Sequence, residues 1–309
     1  MNKKNKKTFI VIAVIVAILT ILYFVIGNAF YQLALNPNTD KSRVFENEET
    51  QNENKYVIED TFFKDHTYKD LYTRNENLNL HAYNFDQKSD TTVILIHGYL
   101  ANGSTVGIPA TYFYEQGFDI VAPDLRGHGE SDGDYIGMGW DDRNDIIAWI
   151  NLILEDSPNE KIILYGVSMG ATTVMNTIGE KLPQNVKLAI EDCGFTSPWD
   201  IFDYQMKSLF SLPTHPFMDS ANTVTKIRAG YNLKNSALDQ LPKSIIPTLF
   251  IHGDQDTFVP FFMFDDIYEA ANNPKEKLII EGAGHGQSYL KEPELYWSTV
   301  SSFIEKYLK

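Results

Sequence analysis

Cysteine is nearly absent. Cys193 stands alone among 309 residues, so no disulfide can close within the chain and no paired-cysteine metal motif is available. Positive charge is also scarce. The 26 Lys and Arg face 41 Asp and Glu, a formal charge of −15, and Lys3, Lys4, Lys6 and Lys7 crowd the first seven residues, leaving the remainder at −19. A body this acidic argues against nucleic acid as a partner, because that affinity comes mainly from phosphate neutralisation; the charge serves solubility. There is no internal repeat and no zinc-type spacing. The acidic stretch "ESDGDYIGMGWDDRND" (130–145) lacks EF-hand spacing, and suits a loop leading into a helix N-terminus. Neither a metal nor a cofactor is expected.

The chain does have one long apolar run. "TFIVIAVIVAILTILYFVI" (8–26) carries no charge; at about 1.5 Å rise per residue it nearly spans a hydrocarbon layer of ~30 Å. Gly27 and Ala29 offer a small-residue cleavage site, but the run exceeds the ~7–15 residues of a signal-peptide core. The expected organisation is a basic cytoplasmic tail (1–7), a transmembrane signal anchor (8–27), a polar linker (28–55) rich in Asn and Glu, and a folded body from 56 to 309. Lysines before the run place the body outside the cell membrane.

In the body, short apolar runs alternate with amphipathic ones. Strands are expected at 78–85, 91–98, 118–124, 161–166, 186–192, 247–253 and 277–282, and helices at 105–116, 140–156, 169–182, 261–271 and 293–309. The later strands are continuously apolar, as strands buried on both faces are. The reading is an α/β fold with a mostly parallel sheet and helices on both faces. Residues 195–242 break the alternation. They are aromatic and interrupted by prolines, and are expected to form a helical cap after a strand's C-terminal end, where open α/β sheets bind ligands.

Ser168 sits in "GVSMG" (166–170), between an apolar β-branched run and a helical one. Gly166 and Gly170 permit a tight strand-to-helix turn that lifts the hydroxyl clear of the sheet. A serine needs a base. Of seven histidines, His285 in "EGAGHGQS" lies in a glycine-rich loop past the last strand, whereas His97 and His252 end strands and read as structural. The imidazole needs a carboxylate behind it; "HGDQDTFVP" offers Asp256, with Asp254 beside it and Asp192 one strand earlier as rivals. An oxyanion needs amide donors: Met169, next to the serine, and Tyr99 in the loop after "VILIHG", with Leu100 second.

With "HGYLANG", "DLRGHGESDG", "GVSMG", "HGDQDTFVP" and "GAGHG" in order, the region from about 56 to 309 resembles the α/β-hydrolase superfamily. More narrowly, it is similar to membrane-anchored cell-surface serine hydrolases of Gram-positive bacteria, described as related to serine aminopeptidases and acyl esterases. The resemblance implies an eight-stranded sheet whose first strand is antiparallel, with a cap after the sixth. The earliest strands are sought in "YVIEDTFF" (56–63) and "KDLYTR" (69–74). It also implies Ser168, Asp256 and His285 as nucleophile, acid and base, with Tyr99 and Met169 at the oxyanion. A small-molecule carboxylic ester is the expected substrate. A peptide or amide substrate, or acyl transfer by the same residues, is the rival reading. A silent binding protein on this scaffold ranks below both, since no triad member is missing.

Overall fold

The computed structural model describes residues 3–41 and 61–309. Helix α1 (Lys3–Ala34) opens the chain. It contains a window long and apolar enough to cross a membrane, and none of that window is buried against the body. The helix continues through residues 28–34, where the polar linker was expected to begin. Phe30, Tyr31 and Leu33 keep that stretch apolar, and Tyr31 and Leu35 are buried in the body. The rest of the expected linker, from residue 42, lies outside the described residues.

Eight strands form one sheet in the order β1-β2-β4-β3-β5-β6-β7-β8. They are β1 (Lys69–Asn75), β2 (Leu78–Phe85), β3 (Thr91–Ile96), β4 (Asp119–Pro123), β5 (Lys161–Val167), β6 (Val186–Asp192), β7 (Thr248–Gly253) and β8 (Lys275–Ile280). From β4 to β8 every neighbouring pair is parallel. β2 pairs antiparallel with both β1 and β4, so the reversed strand is the second rather than the first. The cause is the two-residue loop at Glu76 and Asn77, where Glu76 takes a φ of 52°. Such a loop makes a hairpin and turns the chain back on itself. "KDLYTR" is thus β1. Of "YVIEDTFF", residues 56–60 lie outside the described residues, while Phe62–Asp65 form a single helical turn.

Successive strand residues face opposite sides, and each side is covered. Val93, Leu95, Ile163, Tyr165 and Ile251 pack with Phe113 of α2 (Gly107–Glu115) and with Val300 and Phe303 of α8 (Pro293–Tyr307). Ile94, Ile96, Ile162 and Leu164 face α3 (Asp142–Asp156), α4 (Met169–Ile178) and α7 (Phe262–Ala270). In α3 the buried residues Ile146, Trp149 and Ile150 recur at helical spacing. Fully burying side chains of this kind contributes about 1.5–3 kcal/mol each.

Between β6 and β7 the chain makes α5 (Pro198–Phe210) and α6 (Thr214–Arg228), and no strand. Ser197 caps α5, its hydroxyl accepting from the Asp200 amide at 3.0 Å. α6 lies along the last turns of α1. Tyr23 and Thr223 share a hydroxyl hydrogen bond of 2.9 Å, Arg228 donates to Asn28, and the Ser220 hydroxyl donates to the Tyr23 carbonyl. At the crossing stands Gly27, where an added Cβ would fall 2.4 Å from the Ser220 carbonyl oxygen. Only glycine lets the two helices come this close.

Candidate active site

Ser168 is the hinge between β5 and α4. Its φ of 58° and ψ of −120° are unusual for a residue with a side chain, and such strain persists only where the surroundings enforce it. Both flanking glycines supply that enforcement. A Cβ on Gly166 would lie 2.3 Å from the Gly170 carbonyl, and one on Gly170 would lie 2.1 Å from the carbonyl of Ile96. The start of α4 is therefore pressed against β3 and β5. The Ser168 amide donates to the Asp192 carbonyl at 2.8 Å, fixing the turn from β6.

The hydroxyl of Ser168 lies 2.8 Å from His285 Nε2. On the far side of the ring, Nδ1 lies 2.7 Å from Asp256 Oδ2. With the Nδ1 proton donated to the carboxylate, Nε2 is left as the acceptor for the serine proton. Asp256 is itself clamped: its Oδ1 accepts from the amides of Phe258 and Val259 at 2.9 and 2.8 Å. The ring of Phe258 packs on the imidazole, with centroids 4.9 Å apart. The structure thus brings Ser168, His285 and Asp256 into one hydrogen-bonded row.

The two rival carboxylates are bonded to other groups. Asp254 accepts from the Gly282 amide at 2.6 Å and ties the loops after β7 and β8. Asp192 accepts from the hydroxyls of Tyr296 and Ser288 at 3.0 and 3.2 Å. Burial pushes its pKa up to about 7, against the pull of those two hydroxyls. His97 has a positioning role. Its Nδ1 donates to the Gly98 carbonyl at 2.7 Å and its Nε2 accepts from the Leu125 amide at 3.0 Å. Burial and the nearby His128 push its pKa down to about 3, so the ring is neutral. The loop it holds brings Gly98 against Ser168, where an added Cβ would touch the Ser168 Cβ at 3.4 Å. Tyr99 follows in that loop, and Met169 opens α4 beside the serine.

Among the described residues, one group of side chains has metal-ligand proximity: Cys193, Asp256 and His285. Both nitrogens of that histidine are already engaged with Ser168 and Asp256. Burial raises the Cys193 thiol pKa well above its ordinary value, so it stays protonated and ligates poorly.

A cavity of about 90 Å³ adjoins Ser168. Its lining is apolar apart from Ser168, Gln205, Thr225 and the hydroxyls of Tyr31 and Tyr99, and it contains no Asp, Glu, Lys or Arg. Five of its residues belong to the end of α1 and the residue after it: Phe30, Tyr31, Leu33, Ala34 and Leu35. Those five escaped the sequence reading. The available signal was the repeat Tyr23, Gly27, Tyr31, Leu35 at four-residue spacing, which marks one docking face on a helix.

Residues 87–200, from just before β3 to the start of α5, match the sequence model of a family described as serine aminopeptidase, S33. The segment includes Ser168. The uncharacterized protein YqkD of Bacillus subtilis is 29% identical over 72% of this chain and 77% of its own length. A second protein of that organism, the AB hydrolase superfamily protein YisY, is 24% identical over 68% and 90%. Among solved structures, the Pyrococcus furiosus esterase Pf2001 superposes with a TM-score of 0.67, at 24% identity, covering 82% of this chain and 97% of that one. The chain has the α/β-hydrolase fold. The serine turn follows the C-terminal end of β5, and α5 and α6, inserted between β6 and β7, line the cavity beside it. The C-terminal ends of the strands are where parallel α/β sheets place their ligand sites.

Proposed function

We propose that the protein is a membrane-anchored, extracytoplasmic serine hydrolase that cleaves carboxylic esters through an acyl-enzyme. In this reading Ser168 attacks the acyl carbon while its proton passes to His285 Nε2. Asp256 holds the imidazole by its Nδ1 proton and stabilises the imidazolium. The negative charge on the carbonyl oxygen is met by the amides of Met169 and Tyr99, at the positive end of α4. His285 then returns the proton to the leaving alcohol, and water, activated by the same base, releases the acid. The carrying observation is the unbroken row from Ser168 Oγ through His285 to Asp256 Oδ2, with steps of 2.8 and 2.7 Å. The hydrolase family match and the printed name of the esterase Pf2001 agree with it.

One observation favours an ester over an aminopeptidase substrate. Holding a free α-amine needs a carboxylate beside the pocket, and the cavity next to Ser168 has none. The membrane placement rests on the uncharged run in α1, whose apolar window has no part buried, and on the lysines that precede it. The test uses full-length protein in detergent with a fluorophosphonate probe and p-nitrophenyl esters. Wild type is expected to be labelled and active. Ser168→Ala is expected to lose labelling and to lose rate by a factor on the order of 10⁴–10⁶. Undiminished labelling of the alanine variant removes Ser168 from the role given to it.

A further inference from the structure

The cavity at Ser168 is walled on one side by the helix that also carries the apolar run. Residues 8–25 of α1 are exposed along nearly their whole length, whereas Gly27, Tyr31 and Leu35 are buried in the body. The division is sharp, and main-chain bonds secure it. The Tyr99 hydroxyl donates to the Ala34 carbonyl at 2.6 Å, and the Ile136 amide donates to the Leu35 carbonyl at 2.8 Å. Ala34 stands eight residues beyond Ile26, the last residue of the run, a rise of about 12 Å. The lipid-facing surface of the helix therefore passes, within two or three turns, into the lining of the cavity.

The opposite wall is built by the helices between β6 and β7. Phe202 and Phe210 come from α5 and Met218 from α6; Phe30, Leu33 and Ala34 of α1 face them. Phe210 both lines the cavity and is 43% exposed, and its ring meets that of Phe30 edge-on at 6.5 Å. The cavity thus reaches the surface between α5 and α1, on the side where the helix leaves the body. Ser168 itself is only 8% exposed, so an ester must reach it through an enclosure. An apolar, uncharged channel, closed by a helix that continues into lipid, suits one hydrocarbon chain.

We propose that the last turns of α1 form a wall of the acyl site, and that the substrate is a bilayer-resident amphiphile whose ester-linked hydrocarbon chain passes directly from the membrane into the channel. This rests on the serine-esterase reading above and adds to it the source and class of the substrate. Apolar contact along the channel rewards a long chain over a short one.

The experiment uses the full-length chain in phosphatidylcholine vesicles. A non-exchanging glycerophospholipid with a fluorogenic ester-linked acyl chain is doped either into the enzyme's own vesicles or into separate ones. Hydrolysis is expected to be at least tenfold faster in the shared membrane. Equal rates in the two arrangements overturn the proposal. In parallel, Ala34→Trp intrudes on the channel from α1. It is expected to lower the ratio of kcat/KM for p-nitrophenyl dodecanoate to that for the acetate at least tenfold, and an unchanged ratio in a folded variant also overturns it. If the tryptophan variant does not fold, the vesicle comparison on wild type still decides. Fluorophosphonate labelling of wild type separates the two levels. Absence of labelling removes the esterase reading itself, whereas labelling with equal vesicle rates removes only the membrane-supplied substrate.

Discussion

Two carboxyl groups stand near His285, and their surroundings differ. Asp256 accepts two backbone amides as well as the imidazole proton. Asp192 is fully buried, with two hydroxyls for company, and its pKa is pushed up to about 7, chiefly by desolvation. A folded-state value above the ordinary carboxylate range means that the folded protein holds this proton more tightly than the unfolded chain. The resulting stability is fully present below about pH 4 and is lost as pH rises toward 7, by up to about 1.4 kcal/mol per pH unit. Asp192→Asn keeps the neutral shape and removes the titration. Relative to wild type, the variant's Tm is therefore expected to rise with pH across this window. Parallel Tm curves for the two proteins from pH 4 to 8 count against a protonated Asp192. Which aspartate faces the histidine was only partly legible. The loop "HGDQDTFVP" offered two candidates, and Asp256 stood out by its position in it. That Asp192 turns instead to Tyr296 depends on a helix that follows it by about a hundred residues, a contact to which local sequence is blind.

At the scale of elements, the β5–α4 elbow was fully legible. Its glycines answer a steric demand that any chain making this turn must meet, so the motif carries its own geometry. The clash distances state how strict the demand is: a Cβ at position 170 would lie 2.1 Å from the Ile96 carbonyl, which is backbone and cannot step aside. Gly170→Ala is expected to destabilise the body by about 2–3 kcal/mol as α4 is driven off β3, lowering Tm by roughly 4–12 °C. A thermal melt within 1 °C of wild type, measured alongside phosphonate labelling, contradicts this contact. The hairpin was harder. Period and composition mark "LNLHAYNF" as a strand but say nothing of its direction. That follows from the short loop at Glu76, which places β2 antiparallel between β1 and β4. Helix ends were read less well than helix cores. The helix expected over 169–182 stops at Ile178, with Gly179 closing it, because a glycine weakens a helical end whatever apolar residues follow.

For the molecule as a whole, the docking of α1 onto α6 was the least legible feature, because partners such as Tyr23 and Thr223 lie 200 residues apart in sequence. Composition marks residues 8–26 as a run long and apolar enough to cross a membrane. It gives no account of where the helix goes beyond that run. Gly27→Val tests the docking without altering the run: the added methyls collide with the Ser220 main chain. The variant is expected to stay in the membrane fraction through an alkaline wash while its Tm falls by several degrees, because the crossing opens. A variant that melts with wild type shows the two helices to be independent.

The buried rings of α1 have a practical corollary. Trimming the chain near residue 36 is the obvious way to obtain a soluble fragment, yet the cut would withdraw Tyr31 and Leu35 from their sockets and leave the cavity beside Ser168 open along one flank. Under the acyl-site proposal, chain-length preferences measured on such a fragment would describe a gutter rather than the walled space of the intact protein.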